Sequence, residues 1–136
     1  MIGFIGLENG VKVIKPITAD VESIRNNYFT TEIDTGTKWI DGKPIYRKVI
    51  DFGALPNNAT KAVAHNISNL GWVVKLSGMS RRDISTIITL PFNAVDNISK
   101  QIILRISNTA VICITGSDRT DFVDTFVIVE YTKTTD

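Results

Sequence analysis

From Tyr28 onward, apolar residues recur at alternate positions in short runs, and turn residues separate the runs about every 8–12 residues. That period places side chains on the two faces of strands, not along the stripe of a helix. Strands are expected over 37–40 and 44–52, joined by an Asp41-Gly42 turn whose glycine supplies the positive φ of a tight hairpin. In the outgoing arm Tyr46, Lys48, Ile50 and Phe52 share one face, and Ile45, Arg47, Val49 and Asp51 the other. Further strands are expected over 60–67, with Val63, His65 and Ile67 on one face, and over 72–76, with Trp72, Val74 and Leu76 inward. Gly78 is expected to end that strand, and 79–83 to form an exposed loop carrying Arg81 and Arg82. The alternation resumes over 84–90, stopped by Pro91, and then over 98–106, 110–115 and 124–132. Residues 110–115 are apolar on both faces, as in a strand central to its sheet or covered by a partner subunit. The pattern predicts an all-β fold, an antiparallel β-sandwich of jelly-roll type with about eight or nine strands.

Residues 1–27 read differently. An apolar start containing Ile2, Phe4, Ile5 and Leu7 leads to a Glu8-Asn9-Gly10 turn, a short alternating stretch at 11–14, and room for one or two helical turns at 19–27. Such a segment cannot build its own core and is expected to pack on the main domain, on a neighbouring subunit or on a larger assembly. Ile2, Phe4, Ile5 and Leu7 are therefore candidate docking residues. The division expected is 1–27 for attachment and 28–136 for the sandwich. Gly3-Phe4-Ile5-Gly6 lacks the Lys-Ser/Thr and the following helix of a phosphate loop.

The chain has 136 residues and a net charge of +1, which gives little basis for nucleic-acid binding. No window approaches the ~18 apolar residues of a membrane span, and no secretory cleavage pattern follows the N-terminus. Cys113 is the only cysteine, within an apolar run, and reads as a buried small hydrophobe. No cofactor or metal is expected. His65 is the only histidine, so a histidine triad or metal cluster lacks its other members. Asp118, Asp121 and Asp124 do not follow a calcium-loop spacing, and Arg119 is the expected ion partner of Asp118. Glu32, Asp34 and Asp41 read as turn and edge residues, not as an acid/base pair. The candidate partner contacts are Trp72, Met79, Arg81, Arg82, Asp118 and Arg119. Tyr28, Trp39, Tyr46 and Trp72 are candidate sugar-stacking aromatics, set against the commoner core role of such rings.

Five separated stretches carry a resemblance. They are Trp39-Ile40-Asp41-Gly42-Lys43-Pro44-Ile45-Tyr46-Arg47-Lys48, Phe52-Gly53-Ala54-Leu55-Pro56-Asn57, Val63-Ala64-His65-Asn66-Ile67-Ser68-Asn69, Thr115-Gly116-Ser117-Asp118-Arg119-Thr120 and the ending Val129-Glu130-Tyr131-Thr132-Lys133-Thr134-Thr135-Asp136. Together they resemble the C-terminal β-sandwich module of bacteriophage tail-fibre, head-fibre and other appendage proteins, crAss-like phages included. Two positions depart from that pattern: Asn66 stands where glycine is frequent, and Gly71-Trp72 where an Asp-Arg pair is frequent. Asparagine tolerates left-handed backbone, so the first change leaves the fold intact; the second alters surface chemistry. The resemblance implies a non-enzymatic virion structural protein, made in the host cytoplasm and displayed on the particle as a homotrimer. It would dock on other virion proteins through its short leader and contact host surface glycan. A glycan-binding receptor-recognition module of a tail fibre is the alternative.

Overall fold

A computed structural model describes residues 3–8, 11–16 and 18–136, with side chains described at Val21 and from 23 onward. The fold is an all-β antiparallel sandwich. Its larger sheet has five strands in the order β3(Ile33–Lys38), β4(Pro44–Asp51), β10(Asp124–Lys133), β6(Leu70–Asp83), β7(Thr86–Leu90). The smaller has three, β5(Thr60–Ala64), β9(Ala110–Thr115), β8(Ile102–Ile106). The chain changes sheet between β4 and β5, β5 and β6, β7 and β8, and β9 and β10. Before them come a hairpin of β1(Gly3–Glu8) and β2(Val11–Pro16) and a helix, α1(Thr18–Asn26).

Alternation decides what is buried. In β10, Thr125, Val127, Val129 and Tyr131 face the other sheet and are fully buried, whereas Asp124, Phe126 and Ile128 face outward. Val111 and Cys113 of β9, Ile102 of β8 and Ile50 of β4 meet them in one apolar core closed by Phe52, Leu55, Leu90 and Phe122. The one polar pair deep in this layer is satisfied internally, Ser80 Oγ lying 2.7 Å from Thr125 Oγ1. β9 is the central strand of its sheet, between β5 and β8; Val111, Cys113 and Thr115 face the core, and Ala110, Ile112 and Ile114 on the outward face are half-buried.

The Asp41-Gly42 turn forms as the residues require. Gly42 has φ +85°, and the Asp41 carboxylate accepts the Lys43 N–H at 3.0 Å. Asn66 has φ +54°, the left-handed conformation expected where glycine is frequent.

Several boundaries differ from the sequence reading. β5 stops at Ala64, and His65 lies beyond it, buried. Residues 98–100 form a 3-10 turn instead of extending β8. The largest difference is β6. Gly78 does not end it, and 79–83 is strand, not loop. A Cβ at Gly78 would lie 3.2 Å from Leu90 Cβ and 3.3 Å from the Phe126 carbonyl, so the missing side chain lets three strands close over a core residue. Trp72 and Val74 are not inward. Lys75 pairs with Glu130 but Val73 with Tyr131, which leaves Val74 as an extra residue. That bulge inverts the parity, so Val73 and Leu76 both pack on the core and Trp72 is 69% exposed; a second register shift, between Tyr131 and Lys133, brings Leu70 to the core.

Candidate partner-binding surfaces

The outward face of the five-stranded sheet carries the first candidate. Register places Phe126 of β10 opposite Met79 of β6, with Asp124 opposite Arg81 and Arg81 opposite Ile87 of β7. Phe126, Met79 and Ile87 are 40%, 41% and 61% exposed, high values for large apolar side chains on adjoining strands. Two depressions meet at Met79 and Phe126. One, of about 260 Å³, extends to Arg81, Asp124 and Ile87. The other, of about 410 Å³, is lined by Tyr28, Val49, Met79, Phe126 and Ile128, with no charged side chain among them. Tyr28 is held there from the edge, its ring 4.3 Å from the Arg47 guanidinium. The rim holds a half-exposed ion pair, Arg81 Nη2 to Asp124 Oδ2 at 3.1 Å. Of the sequence candidates, Met79, Arg81 and Tyr28 border this face. Phe126, Ile128, Ile87 and Val49 belong to it too and were not singled out. The signal for Phe126 and Ile128 was present in the apolar outward positions of 124–132.

A second cluster lies at the end of the sandwich where β10 begins. The Arg119 guanidinium carbon is 4.9 Å from the Phe122 ring centre and 5.4 Å from that of Phe92. Arg82 approaches the same Phe122 ring at 5.9 Å, and contacts Asp83 and Asp121 at 3.5 Å each. Asp118 does not pair with Arg119 among the described residues. Its carboxylate accepts from the Thr120 N–H at 3.0 Å and hydroxyl at 2.7 Å, bonds that hold its pKa below the ordinary value. The three spaced aspartates thus do separate work: Asp118 caps a turn, Asp121 faces Arg82 and Asp124 pairs with Arg81. Among the described residues no His, Cys, Asp and Glu side chains group as a metal site.

The opposite end is a closed network. The Tyr131 hydroxyl and the Lys133 ammonium both donate to Glu32, each at 2.7 Å. The Tyr46 hydroxyl donates to Asp136 at 2.8 Å, and its ring stacks on Tyr131 with centres 6.1 Å apart. The carboxylate bond, then burial, pushes the Tyr46 phenol up to about 12; burial, then the Glu32 bond, raises that of Tyr131. The 39–48 stretch supplies four ties here and nearby. Lys43 donates to the Lys133 carbonyl, Tyr46 to Asp136, Arg47 to the Arg25 and Asn27 carbonyls, and Lys48 to the His65 carbonyl. Arg47 thereby caps the C-terminal end of α1, where a cation complements the exposed carbonyls.

His65 is structural in this setting. Nδ1 accepts the Ile67 N–H at 3.0 Å, so Nε2 carries the proton and donates to the Ser107 carbonyl at 3.0 Å. Cys113 is fully buried, and burial pushes its thiol pKa up to about 11, away from thiolate chemistry. Trp72 stands apart, near the other end of β6 from Met79 and Arg81. Trp39 is half-buried beside the hairpin turn. The docking candidate Ile2 and the side chains of Phe4, Ile5 and Leu7 lie outside the described residues. No family model matches this chain, and neither a curated protein nor a solved structure is significantly similar to it.

Proposed function

We propose that this chain is a structural protein of a bacteriophage particle, a small fibre, appendage or decoration subunit that assembles with copies of itself as a homotrimer. The sequence resemblance suggests the setting. The observation that carries the reading is the outward face of the five-stranded sheet, where Phe126, Met79, Ile87, Ile128 and Val49 surround an apolar depression. Apolar faces of this kind favour packing against another protein surface. Sugar recognition needs several convergent hydrogen-bonding groups, which the larger depression lacks. The role is non-enzymatic: sandwiches pack about an axis, the leader at 1–27 docks on the particle, and repeated copies give avidity to weak contacts.

Immunogold labelling of purified particles, with antibody raised against residues 28–136, tests this reading. Regular labelling at one site on the particle is the expected result. Particles that lack the chain by both labelling and mass spectrometry would overturn it.

One observation favours a second reading, a glycan-binding module. Trp72 presents a large, 69% exposed aromatic surface. Glycan-array binding that disappears in Trp72→Ala, with the chain absent from particles, would replace the first reading by the second.

A further inference from the structure

We propose that Arg119 is the recognition point for the carboxylate of an acidic sugar. Arg119 is mismatched to its surroundings. Arginine carries five N–H donors and no acceptor, so its surroundings normally supply carboxylates or carbonyls. Here the guanidinium lies within cation–π distance of the Phe92 and Phe122 rings, which offer no lone pair. Its Nε is buried without a hydrogen-bond partner among the described residues. The nearest carboxylate in sequence, Asp118, is already engaged by Thr120.

The side chain as a whole is half-buried, and its terminal nitrogens are not sealed in with Nε. A planar fork that rests against two rings with its Nε buried has lost rotamer freedom before a ligand arrives. Its geometry matches the two oxygens of a carboxylate. Arg82 adds a second positive charge beside the same Phe122 ring; its carboxylate contacts, at 3.5 Å between half-exposed groups, are loose, and its Nη2 donates to the Thr86 hydroxyl at 3.2 Å. The residues bordering the cluster carry hydroxyls and amides. Thr120 follows Arg119 and keeps its hydroxyl lone pairs after donating to Asp118 at 2.7 Å, and Asn93 follows Phe92 and keeps its amide N–H groups after its oxygen accepts from the Gln101 amide at 3.0 Å. Those groups suit the hydroxyls of a sugar ring better than an extended acidic peptide. The site deepens the display reading, on which only the biological source of the sugar rests.

The test is an NMR titration of the full chain with glucuronate, with glucose and a short poly-aspartate peptide as comparisons. Saturable movement of the Arg119 Nε–H resonance with glucuronate alone is expected. Arg119→Lys should bind about tenfold more weakly, the worth of one charge-assisted hydrogen bond. Arg82→Gln, which leaves the Phe92–Arg119–Phe122 stack in place, should weaken binding several-fold, and Arg105→Lys on the smaller sheet should not change it. No saturable shift at Arg119, an equal response to glucose, or equal affinity for the peptide would each overturn the proposal. None of those outcomes bears on whether the chain is found in particles, so the two proposals fail separately.

Discussion

The two ends of β10 treat charge in opposite ways. At the Lys133 end Glu32, Asp136, Tyr46, Tyr131 and Lys133 satisfy one another in a closed network. At the Asp124 end, roughly 30 Å away along the strand, Arg81 and Arg82 meet aspartates, but Arg119 lies against phenyl rings and has no carboxylate among the described residues. The chemistry of the neighbours explains the difference. A phenol or an ammonium meeting a carboxylate uses its donors internally, whereas a guanidinium on a phenyl face gains attraction without using them. The first arrangement holds chain segments together; the second leaves binding capacity at the surface.

The contrast breaks most visibly at Tyr131. Tyr131→Ala removes a fully buried ring, its stacking on Tyr46 and its bond to Glu32, and should cost about 3–5 kcal/mol. Urea denaturation measures this, and a loss below about 1 kcal/mol would show the network to be ornamental to the fold. Tyr131→Phe keeps the ring and strands one Glu32 oxygen, so about 1–2 kcal/mol is expected from the same measurement.

The same end sets an alkaline limit. Tyr46 ordinarily ionises near 10.0 and here near 12, so its protonated form is favoured in the fold. Its contribution is complete below pH 10 and is lost as pH rises toward 12. Tyr131 is displaced in the same direction. Melting temperature followed from pH 9 upward should therefore fall as these phenols ionise, and Tyr46→Phe should flatten the slope.

The Asp124 end should respond less. Arg119→Ala removes two cation–ring contacts and about 1 kcal/mol of stability. A loss as large as that of Tyr131→Ala would erase the difference between the two ends. Smallest of all, Asp124→Asn opens a half-exposed ion pair worth about 0.2–1 kcal/mol to the fold. A larger loss of monomer stability would mean that the rim of the groove is structural.

The sandwich was legible because alternation survives in β8, β9 and β10, whose inward residues are buried or half-buried in the core. It failed in β6 for two reasons that periodicity cannot register. The extra residue at Val74 reverses which parity faces the core, and Gly78 serves as a close-packing position inside a strand that it was expected to end. The second error hid the groove, because it turned Met79 and Arg81 into loop residues; the first set Trp72 in the core. The Arg119 stack was equally out of reach: Phe92 and Phe122 meet it through tertiary contact alone, and the adjacent Asp118 pointed to an ion pair that does not form.

The outward face of the five-stranded sheet is the centre of the account, and its most direct test is the solution mass of the full chain by light scattering, alone and as Phe126→Asp. The wild type should have three times the 15.0 kDa chain mass, and Phe126→Asp, placing a charge in the apolar centre, should have that of one chain. A folded wild type with the mass of one chain, or an assembly unaffected by Phe126→Asp, would contradict it.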